Sequence, residues 1–140
     1  MTEKIAAWRK NYDLLILESG TRPFEWFKHD CVTFAAKALD AQYDIGLMAY
    51  IDANLRYEDE ASAIALIEEH GGLEELVNEV LGIKPSPPAL LTVGDIALYD
   101  YGLPGFAYAL AVHDGHQLLA PAKEGLTCLH MARALIGWRL

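Results

Sequence analysis

A chain of 140 residues, 53% of them hydrophobic, has the length of one ordinary domain and enough apolar surface to close a core, so a single domain over 1–140 is expected. With 20 acidic residues against 11 basic ones the formal charge is -9, which repels a phosphate backbone and sets nucleic acid aside as a partner. Two cysteines, Cys31 and Cys128, are too few for a secreted disulfide scaffold, no apolar run approaches the ~20 residues that span a bilayer, and Met1-Thr2-Glu3-Lys4 lacks a signal peptide's apolar core. The expectation is a reducing cytosol and no membrane insertion.

Taken in order, Ile5, Trp8, Tyr12, Leu15 and Ile16 recur at helical spacing, with Thr2 placed to cap the start and Gly20 to end the helix. Thr21-Arg22-Pro23 breaks the pattern, and the aromatic residues Phe24, Trp26 and Phe27 lead into Asp30. Asp30 is a strong N-cap residue, and behind it apolar residues fall at 31, 34, 35 and 38, so a second helix opens at Cys31. Residues 42–57, with Gly46, Asp52 and Asn54, read as loop or short helical turns. Two short amphipathic helices follow, over 58–70 and after Gly71-Gly72, their glutamates forming a solvated face.

Beyond the proline-rich connector Lys84-Pro85-Ser86-Pro87-Pro88 the period changes from helical to alternating. Ile96 and Leu98, the run 106–112, and short segments at 117–120, 126–130 and 135–139 predict a five-stranded antiparallel sheet, with turns at Gly102-Pro104-Gly105 and Asp114-Gly115. The fold class is therefore α+β, helices first and sheet second. In the strand 106–112 one face is Phe, Tyr, Leu and Val and the other is Ala107, Ala109 and Ala111, a surface another element can approach closely. The helix after Cys31 is expected to lie on that alanine face, with Trp26 and Phe34 in the core.

Cys31 is the first candidate for chemistry. A thiol in the first turn of a helix sits at the positive end of the dipole, where the thiolate is favoured. It also falls on the apolar face, where a free cysteine is an ordinary core residue. No set of residues has a metal-ligand pattern; His113 and His116 across a turn lack a third ligand, and no metal or cofactor is expected.

The Asp30-Cys31 pair opening an alanine-rich helix, Gly94-Asp95 beginning a strand and the hairpin ending in Asp114-Gly115 resemble the NlpC-type branch of the papain-like cysteine peptidases. The order Phe24-x-Trp26, Asp30-Cys31, Phe34-Ala35-Ala36, Gly71-Gly72-Leu73, Gly94-Asp95, Gly125-Leu126 and Gly137-Trp138-Arg139 is similar to a family of small phage and prophage proteins encoded among tail genes. The resemblance implies a papain-like fold with Cys31 at the nucleophile position. It also implies that Ala107 stands where the catalytic His belongs and Leu119 where the third triad member belongs. Without a base and its orienting partner, a thiol is a poor nucleophile for acyl transfer.

Three functions follow from that resemblance. The expected one is a tail-tip or tail-assembly protein with a catalytically degenerate fold, present in the host cytoplasm during assembly and then in the virion tail. Its partners would be other tail proteins, met through Tyr99, Tyr101, Leu103 and Phe106 as anchors. The alternatives are an active cell-wall endopeptidase using Cys31 with His113 or His29 as base, and a module binding a peptide or acyl group beside Cys31.

Overall fold

The computed structural model describes residues 3–103 and 106–140. Five helices, α1 (Trp8–Ser19), α2 (Cys31–Tyr43), α3 (Leu47–Asn54), α4 (Glu60–Glu69) and α5 (Leu73–Leu81), precede five strands, β1 (Ile96–Leu103), β2 (Phe106–His113), β3 (Leu118–Ala122), β4 (Gly125–Leu129) and β5 (Ala134–Trp138). The strands form one antiparallel sheet in the order β4-β3-β2-β1-β5, so the architecture is the α+β arrangement expected. No helix among the described residues is long and apolar enough to cross a membrane.

Two helical elements depart from the local sequence signals. Helix α1 starts at Trp8, because the Ile5 N–H donates to the Gln42 carbonyl at the end of α2 and holds the preceding residues out of the helix; Thr2 lies outside the described residues. The stretch read as loop or short turns contains a full helix, α3. Its first free N–H groups, on Leu47 and Met48, are accepted by the Asp40 carboxylate of α2 at 2.7 and 2.9 Å. A cap supplied by another helix leaves no trace in the spacing of residues 42–57.

The sheet register sorts its side chains into two faces. Ile96, Leu98, Leu110, Val112, Leu119 and Trp138 share one face, and α2 lies on it through Phe34, Ala35, Ala38 and Leu39. This corrects the expected docking of α2 on the alanines. Phe34 is in the core, while Trp26 is only half-buried. Ala97, Tyr99, Ala109, Ala111 and Ala120 lie on the opposite face.

What approaches the alanines is the crossover between the two edge strands. β4 and β5 stand four strand spacings apart, roughly 19 Å if the sheet were flat. The five Cα steps from Leu129 to Ala134 reach only about 17 Å, so the sheet must curl. The crossing segment packs Met131 onto the alanine face, puts the Arg133 guanidinium 5.7 Å from the Tyr99 ring, and donates from that guanidinium to the Asp100 carbonyl at 2.8 Å. Larger side chains at 109 and 111 would hold this segment away.

Gly94-Asp95 has a structural role in joining the two layers. Gln42, fully buried on α2, donates its Nε2 to the Gly94 carbonyl at 2.9 Å. Gly94 has φ 89°, and a Cβ there would run into the Gln42 amide, so both the backbone and the contact require glycine. The Asp95 carboxylate accepts from the Thr92 N–H at 2.7 Å and pairs with Arg139 at 3.1 Å, tying the strand entry to the chain end.

Candidate functional site

The turn before α2 is shaped by its own backbone. Glu25 and His29 exchange two backbone hydrogen bonds, which leaves Phe27 with φ 64° at the tip. Trp26 is thereby turned onto the Phe106 ring, with centroids 5.6 Å apart and the rings stacked. Asp30, extended and 2% exposed, ends the turn and caps the helix. One carboxylate oxygen accepts from the Thr33 N–H and hydroxyl at 2.9 and 3.0 Å, and the other from the Phe27 N–H at 2.9 Å and the Tyr57 hydroxyl at 2.5 Å. Four donors from three parts of the chain thus converge on one buried carboxylate, which binds the aromatic turn, the start of α2 and the segment between α3 and α4 together. Sequence reasoning missed Tyr57, because nothing local to Leu55-Arg56-Tyr57 marks a partner 27 residues away.

Cys31 follows in the first turn of α2, packed against both apolar clusters. It reaches both because β2 pairs with β3 only at Val112 and His113, leaving the earlier part of β2 open on that side. The residue is partly exposed at the surface, with its sulfur densely surrounded by protein. Burial, and then the Asp30 charge, push the thiol pKa up to about 12, while the N–H groups of Leu110, Cys31 and Val32 pull weakly the other way. The helix dipole therefore loses to desolvation, and the expected depression of the thiol pKa is reversed. At neutral pH the thiol is protonated.

No imidazole is hydrogen-bonded to Cys31 among the described residues. His29, buried, turns its ring toward Phe34 with centroids 6.0 Å apart, and its Nε2 has no partner. Burial, followed by the Arg22 and Lys37 charges, lowers its pKa. His113 accepts at Nδ1 from the Gly115 N–H at 2.8 Å, and its carbonyl takes the Tyr12 hydroxyl at 2.8 Å.

Ala107 and Leu119, the positions that the resemblance matches to a triad, do not converge on Cys31. Phe106 and Leu110 line the space beside Cys31, whereas Ala107 is exposed and does not. Leu119 is buried opposite Val112, five residues and roughly 17 Å along the sheet from Ala107. Of the four anchor candidates, Tyr99 is 4% exposed on the alanine face and cannot meet a partner, because the crossover between β4 and β5 covers it, with Arg133 over its ring. Tyr101 is 48% exposed, Phe106 is half-buried against Trp26, and Leu103 ends β1 opposite Phe106. The turn residues Pro104 and Gly105 lie outside the described residues. Tyr108, not singled out from sequence, is 47% exposed on the same hairpin. No group of three His, Cys, Asp or Glu converges to hold a metal among the described residues.

Behind Cys31 lies an apolar chamber of about 70 Å³ between α2, the three following helices and the sheet, lined by Ala36, Leu39, Ile51, Leu76, Val80 and Ile96 among others. Its polar neighbours, Asp30 and Tyr57, satisfy each other. The space is therefore dry by chemistry.

The family described as "Domain of unknown function (DUF6950)" matches residues 3–140. The chain belongs to the DUF6950 family. No curated protein and no solved structure matches it. For this DUF6950 chain the geometry makes the two thiols unequal: Cys128 is exposed on the edge strand β4, and Cys31 is enclosed and protonated. Iodoacetamide at neutral pH is expected to modify Cys128 first, with Cys31 labelled only after denaturation; peptide mass spectrometry over a time course reads both, and equal rates would contradict the enclosure of Cys31.

Proposed function

We propose that this protein is a structural or assembly component of a phage tail, a non-catalytic descendant of the NlpC-type peptidase fold that docks to other tail proteins. The observation that carries the non-catalytic part is that, among the described residues, no imidazole is hydrogen-bonded to Cys31: the buried His29 ring faces Phe34 and His113 is engaged by the Gly115 N–H, while burial holds the thiol in its protonated form. Peptide hydrolysis by a thiol needs a base within about 3 Å and donors aimed at the oxyanion, and losing the base costs orders of magnitude in rate. The docking part is supported by the β1–β2 hairpin, which offers Tyr101 and Tyr108 to solvent while Phe106 is braced by Trp26. Exposed aromatics on a braced hairpin are the residue type that anchors interfaces.

The test is the composition of purified particles and tail-assembly intermediates, read by mass spectrometry, for phages carrying the wild-type gene and the Tyr101→Ala/Tyr108→Ala variant. The protein is expected in one of those fractions, and the variant is expected to be depleted from it while remaining folded. Its consistent absence from both fractions would remove the docking function. A second reading is favoured by the dry chamber beside Cys31, namely a module that holds an acyl chain. It predicts that a medium-chain fatty acid raises the melting temperature and that Ala36→Phe, which fills the chamber, abolishes that rise.

A further inference from the structure

A groove on the other side of α3 carries a charge out of keeping with the whole chain. It is formed by the turn at 22–28, the exposed side of α2 and the outer face of α3, and its ionic lining is Arg22, Lys28, Lys37 and Arg56 against Asp52 alone. Four cations thus gather in one concavity of a protein whose net charge is -9. Phe27 and Met48 supply an apolar floor, with the Arg56 guanidinium 5.0 Å from the Phe27 ring.

Two of these cations lack a carboxylate partner. Arg56 pairs with Asp52 and Lys28 with Glu25, but no carboxylate is within ion-pair distance of Arg22 or Lys37 among the described residues. The Lys37 ammonium donates to the Lys28 carbonyl at 2.7 Å. The carboxylate acting on it is Asp30, whose oxygens already serve Phe27, Thr33 and Tyr57. Arg22 and Lys37 in turn lower each other's neighbours: burial first, and then the Arg22 charge, lowers the pKa of Lys37, and both cations act the same way on His29. Half-buried Lys37 is therefore held beside like charge with only the Lys28 carbonyl and the already committed Asp30 carboxylate to offset it, an arrangement an external anion would relieve.

We propose that this groove binds a phosphate group, presented by a small phosphorylated molecule or by a phosphorylated side chain of a partner, with Arg22 and Lys37 as its principal ligands. The guanidinium offers a planar fork to two phosphate oxygens, Lys37 a point charge, and Lys28 and Arg56 flank the pair. With Lys28 paired to Glu25 and Arg56 to Asp52, Arg22 and Lys37 are the two cations of the groove left without an ion-pair carboxylate among the described residues, and two such charges suit a dianion better than a single carboxylate. The overall negative charge does not oppose this at close range, because fields from the distant acidic face are screened beyond about 8 Å at physiological ionic strength.

The experiment titrates the intact protein with inorganic pyrophosphate, a phosphoserine peptide and a matched glutamate peptide at low ionic strength, following backbone amide shifts of residues 22–37 and 48–56 by NMR. Saturable shifts with pyrophosphate or the phosphoserine peptide are expected, and whichever binds more tightly identifies the source of the phosphate. Arg22→Gln and Lys37→Gln should each weaken binding roughly tenfold, and Lys37→Arg should largely keep it. Melting curves of each variant separate loss of the site from loss of the fold. Absence of saturable shifts, equal or tighter binding of the glutamate peptide, or unchanged affinity in both folded glutamine variants would overturn the proposal.

Discussion

Asp30→Ala should cost about 3–5 kcal/mol of folding stability, a large part of what a domain of this size has. The substitution leaves the Phe27 and Thr33 N–H groups and the Tyr57 hydroxyl without their acceptor in a site only 2% exposed. Water cannot replace the carboxylate there without opening the turn. Tyr57→Phe removes only one of the four donors and should cost about 1–2 kcal/mol. Urea unfolding curves for the three proteins give both differences, provided the slopes agree. An Asp30→Ala protein within about 0.5 kcal/mol of wild type would mean that the carboxylate does not organise the site.

The second large effect is a loss of stability in mild acid. His29 and His113 both have pKa values lowered by burial in the folded protein. The unfolded chain therefore binds more protons near and below its histidine pKa of about 6.5, and stability must rise with pH across that range. The contribution is complete above about 6.5 and is lost as pH falls toward the lowered folded values. Asp95, whose pKa is raised by burial, acts in the opposite sense, but in the carboxylate range at lower pH. Melting temperatures should thus fall between neutral pH and about pH 5, and His29→Gln should flatten that slope, with His113→Gln removing most of the rest. A slope unchanged in the double variant would show that other groups carry the acid sensitivity.

How far the sequence led depended on the range of each interaction. The Asp30 cap, the period of the two helices after residue 58 and the alternation of the strands are local, and the observed α2, α4, α5 and β1–β5 follow them closely. Helix α3 was hidden because its cap comes from Asp40, across a turn from Leu47. The alanine face was legible, but its occupant was not. Small residues announce close approach without saying which element approaches, and only the strand order, with β4 and β5 at opposite edges, requires the crossover to run there.

The site was legible in position but not in character. Cys31 was found by its place at a helix start, yet the same place admits both an activated thiolate and an inert thiol. Long-range packing decides between them: Cys31 is packed between the two apolar clusters with Leu110 of β2 beside it, and burial together with the Asp30 charge outweighs the dipole. Tyr99 and Tyr101 looked equivalent in sequence, and the two-residue period of β1 alone does not say which side of the sheet is open; Tyr101 remains 48% exposed at the end of the strand.

The proposal that Cys31 carries no acyl-transfer chemistry is tested most directly by incubating wild type and Cys31→Ser with muropeptides and a panel of small acyl esters and amides, following products by mass. No Cys31-dependent product is expected from either set, because no imidazole is hydrogen-bonded to the thiol among the described residues and burial keeps it protonated. Product formed by wild type and absent with Cys31→Ser would contradict it.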